Sequence, residues 1–309
     1  MAAAGNENAR RSRLRTILAV AQTIVLLAAV AYIIWGLAGQ WAVLRRHAWT
    51  LRLWPVIISL PLAATWFLCR AWLWQRILIC FGYPLAYRRA FRTFILSELS
   101  RYLPGTVWHM LSRAYLSDRQ GVPAPVVFTG IMLELALVAL TAIAFFPLRA
   151  IGQASLYQDL AIWTAASALL LLVFAHPRVV VPLVNIALRR FGRPLITARL
   201  RYRDLFAMLA LCAVMWVCLC AGFWLLAYGI APAAARSPVA VSASFPVAWL
   251  VGLVAVVSPG GLGVREGVLA ALLAGLLPGG MAVVAALAAR VWLTCIELAC
   301  AVVAWRVRE

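Results

Sequence analysis

The sequence contains little charge, and most of what it has is of one sign. Only 12% of the 309 residues are charged, nine residues are acidic, and lysine does not occur. So few charges exclude an ordinary soluble domain, whose surface must stay hydrated. Apolar residues make up 66% of the chain, and the mean hydropathy is +0.96. The composition therefore predicts an all-α, polytopic membrane protein with the bilayer as its solvent.

The sequence also lacks the patterns that hold metals or carry common covalent chemistry. Its seven cysteines lie in apolar runs without a Cys-x-x-Cys pair, and no histidine has metal-ligand spacing. No nucleophile elbow, phosphate loop, zinc signature or kinase pattern is present. We therefore expect no metal, no cofactor and no enzymatic activity.

The basic residues are all arginine and give a net charge of +19. On a soluble surface this charge would suggest nucleic acid, but in a membrane protein it is typical of the positive-inside bias. The arginines cluster at the N-terminus, in residues 88–92, in residues 178–203 and at the C-terminus. This distribution predicts that both termini are cytoplasmic in the plasma (bacterial inner) membrane, and we expect no nucleic-acid partner.

Six apolar segments are long enough to cross a bilayer, for which about 20 residues are needed. The first follows an arginine-rich start and resembles a secretory signal, but its length suits an uncleaved span better. The six predicted spans are residues 17–37, 54–81, 126–146, 160–175, 205–230 and 281–305.

Two further apolar segments, residues 91–115 and 245–277, are each interrupted by a Pro-Gly pair. Irregular backbone at membrane depth persists only where protein or a water-filled cavity satisfies its polar groups. We therefore predict that each segment is a re-entrant hairpin of two half-helices. The residues at the breaks are Pro104, Gly105, Pro259, Gly260, Gly261 and Gly263.

The order of spans and hairpins predicts an inverted repeat within one membrane domain of residues 1–309. Two spans, a hairpin and a third span occur in residues 14–147, and the same order recurs in residues 156–306. Because each half crosses the membrane three times, the second copy has the opposite orientation in the membrane. Inverted repeats that meet at the bilayer midplane through broken helices are a recurring plan of transporters.

Charged residues within the apolar segments are the candidate functional groups, because a charge at a helix centre costs roughly 2.5–3.5 kcal/mol. We predict a polar cavity in which arginines bind a phosphate, since the guanidinium donates two parallel hydrogen bonds and does not deprotonate. The predicted substrate-binding residues are Arg101, Arg113, Arg265 and Arg290. The residues predicted to couple charge or to have a structural role are Glu98, Glu134, Glu266, Glu297 and His109. The same residues could instead form structural ion pairs, and the sequence leaves both interpretations open.

A glycine-rich, charged stretch is the most specific motif. Residues 258–267 read SPGGLGVREG, within an otherwise apolar segment. A Leu-Pro-Gly sequence and several charged residues elsewhere in the apolar segments accompany this stretch: Leu103, Pro104, Gly105, Arg113, Glu134, Arg290 and Glu297.

These residues resemble the flippase-like domain of the lysylphosphatidylglycerol synthase transmembrane family, over about residues 13–308. The resemblance implies movement of lipids between leaflets. Larger members of that family add further spans and an aminoacyltransferase domain, whereas this sequence stops at Glu309, just past its last span. We therefore expect a stand-alone unit without that enzyme.

The leading functional hypothesis is a lipid translocase for a phosphate-bearing envelope lipid or lipid-linked precursor, with membrane lipids as its partners. The alternative is a non-catalytic accessory subunit of an envelope-lipid or polysaccharide synthesis complex, with a lipid-synthesis enzyme or glycosyltransferase as partner. An ion channel and a membrane enzyme rank below these. The cargo, the direction and energy coupling of transport, and the oligomeric state are open at this point.

Overall fold

The computed structural model describes residues 51–102, 107–150, 201–254, 263–278 and 280–306, with single helical positions at 182, 186 and 189. All regular elements in these ranges are helical, which confirms the predicted fold class. The α-helices of the continuous ranges are α1 (Leu53–Cys80), α2 (Tyr87–Leu99), α3 (Trp108–Asp118), α4 (Ala124–Ile143), α5 (Tyr202–Ile230), α6 (Pro238–Val254), α7 (Val264–Ala274) and α8 (Met281–Arg306). Short 3₁₀ helices occupy Ser100–Tyr102, Pro147–Ala150 and Pro232–Arg236.

Four segments of the described ranges are long and apolar enough to cross a membrane. They are α1, α4 with the 3₁₀ turn that follows it, α5 and α8. Each matches a predicted span, so the chain is an integral membrane protein. The other two predicted spans, residues 17–37 and 160–175, lie outside the described residues.

Shorter helices flank both predicted interruptions. Helices α2 and α3 lie on either side of the first, α6 and α7 lie on either side of the second, and the members of each pair pack against each other. Helix α7 begins after Gly263, whose φ of +85° is unfavourable for residues with a side chain. The other break residues lie outside the described ranges: Pro104, Gly105, Pro259, Gly260 and Gly261. The re-entrant course of the hairpins stays a prediction.

Helices α1 and α5 pack against each other in antiparallel orientation. At one end of the pair, the Arg52 backbone N–H donates to the Gly229 carbonyl oxygen at 2.9 Å. Farther along, the Trp66 and Trp216 rings lie edge to face, with their centroids 4.7 Å apart. The partner number falls in α5 as the residue number rises in α1, so the two helices run in opposite directions. An inverted repeat would arrange these two spans in this way, although the repeat itself stays a prediction.

Glycines allow helix backbones to approach closely, as is common between membrane helices. A Cβ at Gly229 would lie 2.7 Å from Val56 Cγ2, and one at Gly222 would lie 3.2 Å from the Ser59 carbonyl oxygen. On the other side of α1, a Cβ at Gly130 of α4 would lie 2.8 Å from the Trp74 ring. Helix α1 therefore packs closely between α4 and α5.

Replacement of Gly229 by alanine should lower the thermal stability of the detergent-solubilised protein. The new methyl group would collide with Val56 and would lie 3.0 Å from the Arg52 carbonyl oxygen. Overpacking of this kind costs about 1–3 kcal/mol. Gly267→Ala is the matched control, because nothing lies within 4 Å of the position of its Cβ. Equal melting temperatures for Gly229→Ala and wild type would contradict the close α1–α5 contact.

Candidate functional site

Four charged side chains, three of them buried and Arg70 12% exposed, form a closed ring in the first half of the protein. Arg70 Nη2 lies 2.6 Å from Glu134 Oε1, and Arg70 Nη1 lies 3.3 Å from Glu98 Oε2. Arg113 Nη1 lies 2.6 Å from Glu134 Oε2, and its Nη2 lies 2.6 Å from Glu98 Oε1. The charges alternate in sign around the ring, so every member has two oppositely charged neighbours.

An aromatic ring separates the two arginines of this group. The Phe94 centroid lies 4.5 Å from Arg113 Cζ and 5.0 Å from Arg70 Cζ. Cations are attracted to the faces of aromatic rings, and the attraction is stronger when water is excluded. Arg113 also donates from Nε to Ser97 Oγ at 3.0 Å, and only 1% of the Arg113 side chain is exposed. Arg113 is therefore fully engaged within the protein.

Arg101 connects the ring to the last helix. It lies in the 3₁₀ turn after α2, and its Nη2 is 3.0 Å from Glu98 Oε2 and 2.7 Å from Glu297 Oε1. The Tyr102 hydroxyl donates to Glu297 Oε2 at 2.7 Å. Glu98 and Arg101 are three residues apart, a spacing at which side chains on a helix can contact each other. Glu297 thus joins the two halves of the protein.

A separate ion pair holds the start of α7. Glu266 Oε2 accepts a hydrogen bond from the Gly263 backbone N–H at 2.8 Å, and Glu266 Oε1 lies 3.5 Å from Arg290 Nη1. A carboxylate in the first turn satisfies an otherwise free backbone donor and interacts favourably with the positive end of the helix. Glu266 therefore stabilises the beginning of α7 and pairs it with α8.

Arg265 differs from the other arginines of this region. Its guanidinium lies over the Phe245 ring, with Cζ 4.5 Å from the centroid. Among the described residues, no carboxylate lies within ion-pair distance of Arg265, whereas Arg70, Arg101, Arg113 and Arg290 each have one. Because the adjacent Glu266 is used by Gly263 and Arg290, the positive charge of Arg265 is not balanced locally.

A narrow cleft of about 40 Å³ is lined by residues from both halves of the chain and brings several of these groups together. Its arginines are Arg70, Arg101, Arg265 and Arg290, and its carboxylate is Glu297. Trp66 and Trp249 contribute apolar wall, with their ring centroids 6.2 Å apart. Arg290 and Glu297 lie in the middle part of the 26-residue α8, far from either end of that span. The cleft is therefore a basic site at membrane depth.

Three of the four arginines predicted to bind substrate line this cleft: Arg101, Arg265 and Arg290. Arg113 is buried in the ring instead. Of the residues predicted to couple charge or to have a structural role, only Glu297 lines the cleft; Glu98 and Glu134 lie in the ring, and Glu266 lies behind Arg290. His109 lies on α3, one turn before Arg113, and does not line the cleft.

Sequence reasoning missed Arg70, which belongs to both the ring and the cleft. An arginine within the apolar 28-residue α1 was itself a sufficient signal, because such charges usually have a specific role. With Arg70, the site comprises five arginines and four glutamates, which we call the Arg/Glu cluster: Arg70, Arg101, Arg113, Arg265, Arg290, Glu98, Glu134, Glu266 and Glu297. The described residues contain no group of histidine, cysteine and acidic side chains that could hold a metal.

Arg113→Leu should destabilise the protein, because it would leave Glu98 and Glu134 each with one cation fewer in a buried site. Removal of one partner from a buried ion pair costs about 3–5 kcal/mol. Thermal unfolding in detergent would measure this loss. The control is Arg119→Leu, directly after the same helix, where an exposed arginine donates to the Tyr115 hydroxyl and forms no ion pair with a described residue. An unchanged melting temperature for Arg113→Leu would contradict the structural role of the ring.

Comparison with known protein families connects this architecture to membrane lipids. A family model described as the lysylphosphatidylglycerol synthase TM region matches residues 15–298, nearly the whole chain. No significant match was found among curated proteins or solved structures. The match includes all of the Arg/Glu cluster and indicates a function related to membrane lipids. The chain therefore belongs to the lysylphosphatidylglycerol synthase transmembrane family.

Proposed function

We propose that this protein is a lipid translocase that moves a phosphate-bearing envelope lipid or lipid-linked precursor between the two leaflets. The observation that carries the proposal is the cleft arginine Arg265, which pairs with no carboxylate of the described residues. An unbalanced charge at membrane depth is costly, and a bound anion would lower that cost. A lipid phosphate is an anion already present in the surrounding membrane.

The chemistry of the cleft suits a phosphate. Arg101, Arg265 and Arg290 come from three different elements and line the same cleft. Guanidinium groups bind phosphate oxygens through charge-assisted hydrogen bonds, often two at a time. Phe245 holds the Arg265 guanidinium by its face, which leaves the N–H groups at its edge for a ligand.

The position of the cleft suits movement across the bilayer. Arg101 belongs to the first half of the chain, whereas Arg265 and Arg290 belong to the second. In inverted-repeat transporters, motion of one half against the other exposes a central site to each side in turn. The headgroup would dock in the cleft while the acyl chains stay in the surrounding lipid. This transport requires no covalent reaction, so the protein would not act as an enzyme.

Arg265→Ala should slow headgroup translocation in proteoliposomes by roughly tenfold or more, because a hydrogen bond to a charged group contributes about 1.5–3 kcal/mol. Phosphatidylcholine vesicles would carry a trace of phosphatidylglycerol with a fluorescent label on one acyl chain, and outer-leaflet quenching would report its movement. The control is Arg76→Ala, which removes an exposed arginine that lies over Trp72, outside the cleft. Because Arg265 forms no ion pair with a described residue, its removal should leave the melting temperature close to that of wild type.

Equal translocation by Arg265→Ala and wild type would remove Arg265 from the transport site. Absence of movement of phosphatidylglycerol, an aminoacylated lipid or a polyprenyl phosphate by folded wild-type protein would contradict the translocase itself. That result would favour the accessory subunit of an envelope-lipid or polysaccharide synthesis complex.

The positive-inside distribution of arginine also supports a plasma-membrane location with both termini in the cytoplasm. A fluorescent protein fused after Glu309 should therefore fold and fluoresce, and alkaline phosphatase fused at the same position should be inactive. Active phosphatase at this position would contradict the assigned orientation.

A further inference from the structure

We propose that the cleft selects headgroups with a single negative charge, as in a phosphodiester, and that Glu297 determines this specificity. The inference rests on the proposed translocase function and names the substrate class of the same site.

The first step is the charge of the Arg/Glu cluster. Its five arginines and four glutamates leave one positive charge in excess. The excess lies at Arg265, where no ion pair with a described residue offsets it, and Arg265 faces the cleft. One negative charge on a ligand would therefore neutralise the site, and a second would leave a net negative charge in the cluster.

The second step is that the glutamates of the cluster are saturated. Glu134 Oε1 pairs with Arg70 and Glu134 Oε2 pairs with Arg113. Glu98 Oε1 pairs with Arg113, and Glu98 Oε2 pairs with both Arg70 and Arg101. Glu266 and Glu297 likewise have a donor on each oxygen. The ion pairs account for all the carboxylates, and Arg265 is the arginine of the cluster whose charge no carboxylate of the described residues offsets.

The third step is that Glu297 limits the ligand to one negative charge. Glu297 is the carboxylate of the cluster that lines the cleft, and it holds Arg101 Nη2 at 2.7 Å and the Tyr102 hydroxyl at 2.7 Å. Arg101 lines the cleft, and 32% of its side chain is exposed. Without the charge of Glu297, the cluster would carry a second positive charge in excess, and Arg101 would keep only Glu98 as a charged partner.

The charge of phosphate groups makes this distinction measurable. A phosphodiester such as phosphatidylglycerol carries one negative charge at neutral pH. A phosphomonoester such as phosphatidic acid can lose a second proton, as phosphorylated side chains do, and therefore carries more than one negative charge at pH 8. Wild-type protein should thus move phosphatidylglycerol faster than phosphatidic acid at pH 8, and faster than zwitterionic phosphatidylcholine.

The decisive variant is Glu297→Gln, which keeps the shape of the side chain and removes its charge. In phosphatidylcholine proteoliposomes at pH 8, the ratio of phosphatidic acid to phosphatidylglycerol translocation should rise on the order of tenfold over wild type, because charges interact strongly in a site of low dielectric. The matched control is Tyr102→Phe, which removes a hydrogen bond to Glu297 but no charge. The ratio should stay at the wild-type value in Tyr102→Phe. An unchanged ratio in Glu297→Gln, or the same rise in both variants, would overturn the role of the Glu297 charge.

A second test uses wild-type protein alone and therefore does not depend on the folding of a variant. Between pH 5.5 and pH 8, phosphatidic acid changes from a monoanion toward a dianion, whereas phosphatidylglycerol keeps its charge. Phosphatidic acid translocation should fall relative to phosphatidylglycerol over this range. The phosphatidylglycerol measurement corrects for titration of the protein, including His109. A ratio that does not change with pH would overturn the single-charge limit.

A final comparison separates lipid from soluble anions. Glycerophosphoglycerol, the deacylated headgroup of phosphatidylglycerol, should not enter the vesicles, and uptake of it would contradict a lipid substrate. The failure of this inference differs from failure of the proposed function. Equal movement of phosphatidylglycerol and phosphatidic acid at pH 8 would overturn charge selection alone, whereas no movement of any lipid would overturn the translocase.

Discussion

Two arginines and two glutamates lie buried among apolar helices, and each would carry a large desolvation cost without the others. The four residues of this ring come from four successive helices: Arg70 from α1, Glu98 from α2, Arg113 from α3 and Glu134 from α4. A displacement of any one helix would separate an ion pair in a low-dielectric environment. The ring therefore fixes the first hairpin to its neighbouring spans, and the position of Arg101 at the cleft depends on it.

The second half is built differently. Its ion pair within the cleft region joins Glu266 to Arg290 at 3.5 Å, a longer contact than the 2.6 Å pairs formed by Arg113. The shorter distances and double pairing make the first half the better-fixed side, while the second half supplies Arg265 to the cleft. A tightly paired wall that faces a less tightly paired, positively charged wall would suit the proposed binding and release of an anion.

The sequence predicted the long spans well, because a bilayer requires about 20 apolar residues and allows few alternatives. It also predicted two re-entrant hairpins from the Pro-Gly pairs, and these stay a prediction because the Pro-Gly residues lie outside the described ranges. It could not separate Arg113 from Arg265, because both are arginines beside a Pro-Gly interruption and only tertiary contacts decide which one is paired. Arg70 was missed because it lies in an unbroken helix, although its burial in an apolar span was itself the relevant signal.

The contact of Arg101 with Glu297 gives the proposed transport cycle a physical basis. Among the described residues, this ion pair joins the first half of the chain to the second. Motion of one half against the other must therefore lengthen the contact or move both residues together. A phosphate in the cleft can accept the hydrogen bonds that Arg101 would lose, which lowers the cost of separation. A ligand shifts a conformational equilibrium only through such differential interaction with the two states. Binding at Arg265 and release of Arg101 from Glu297 would then be two parts of one event.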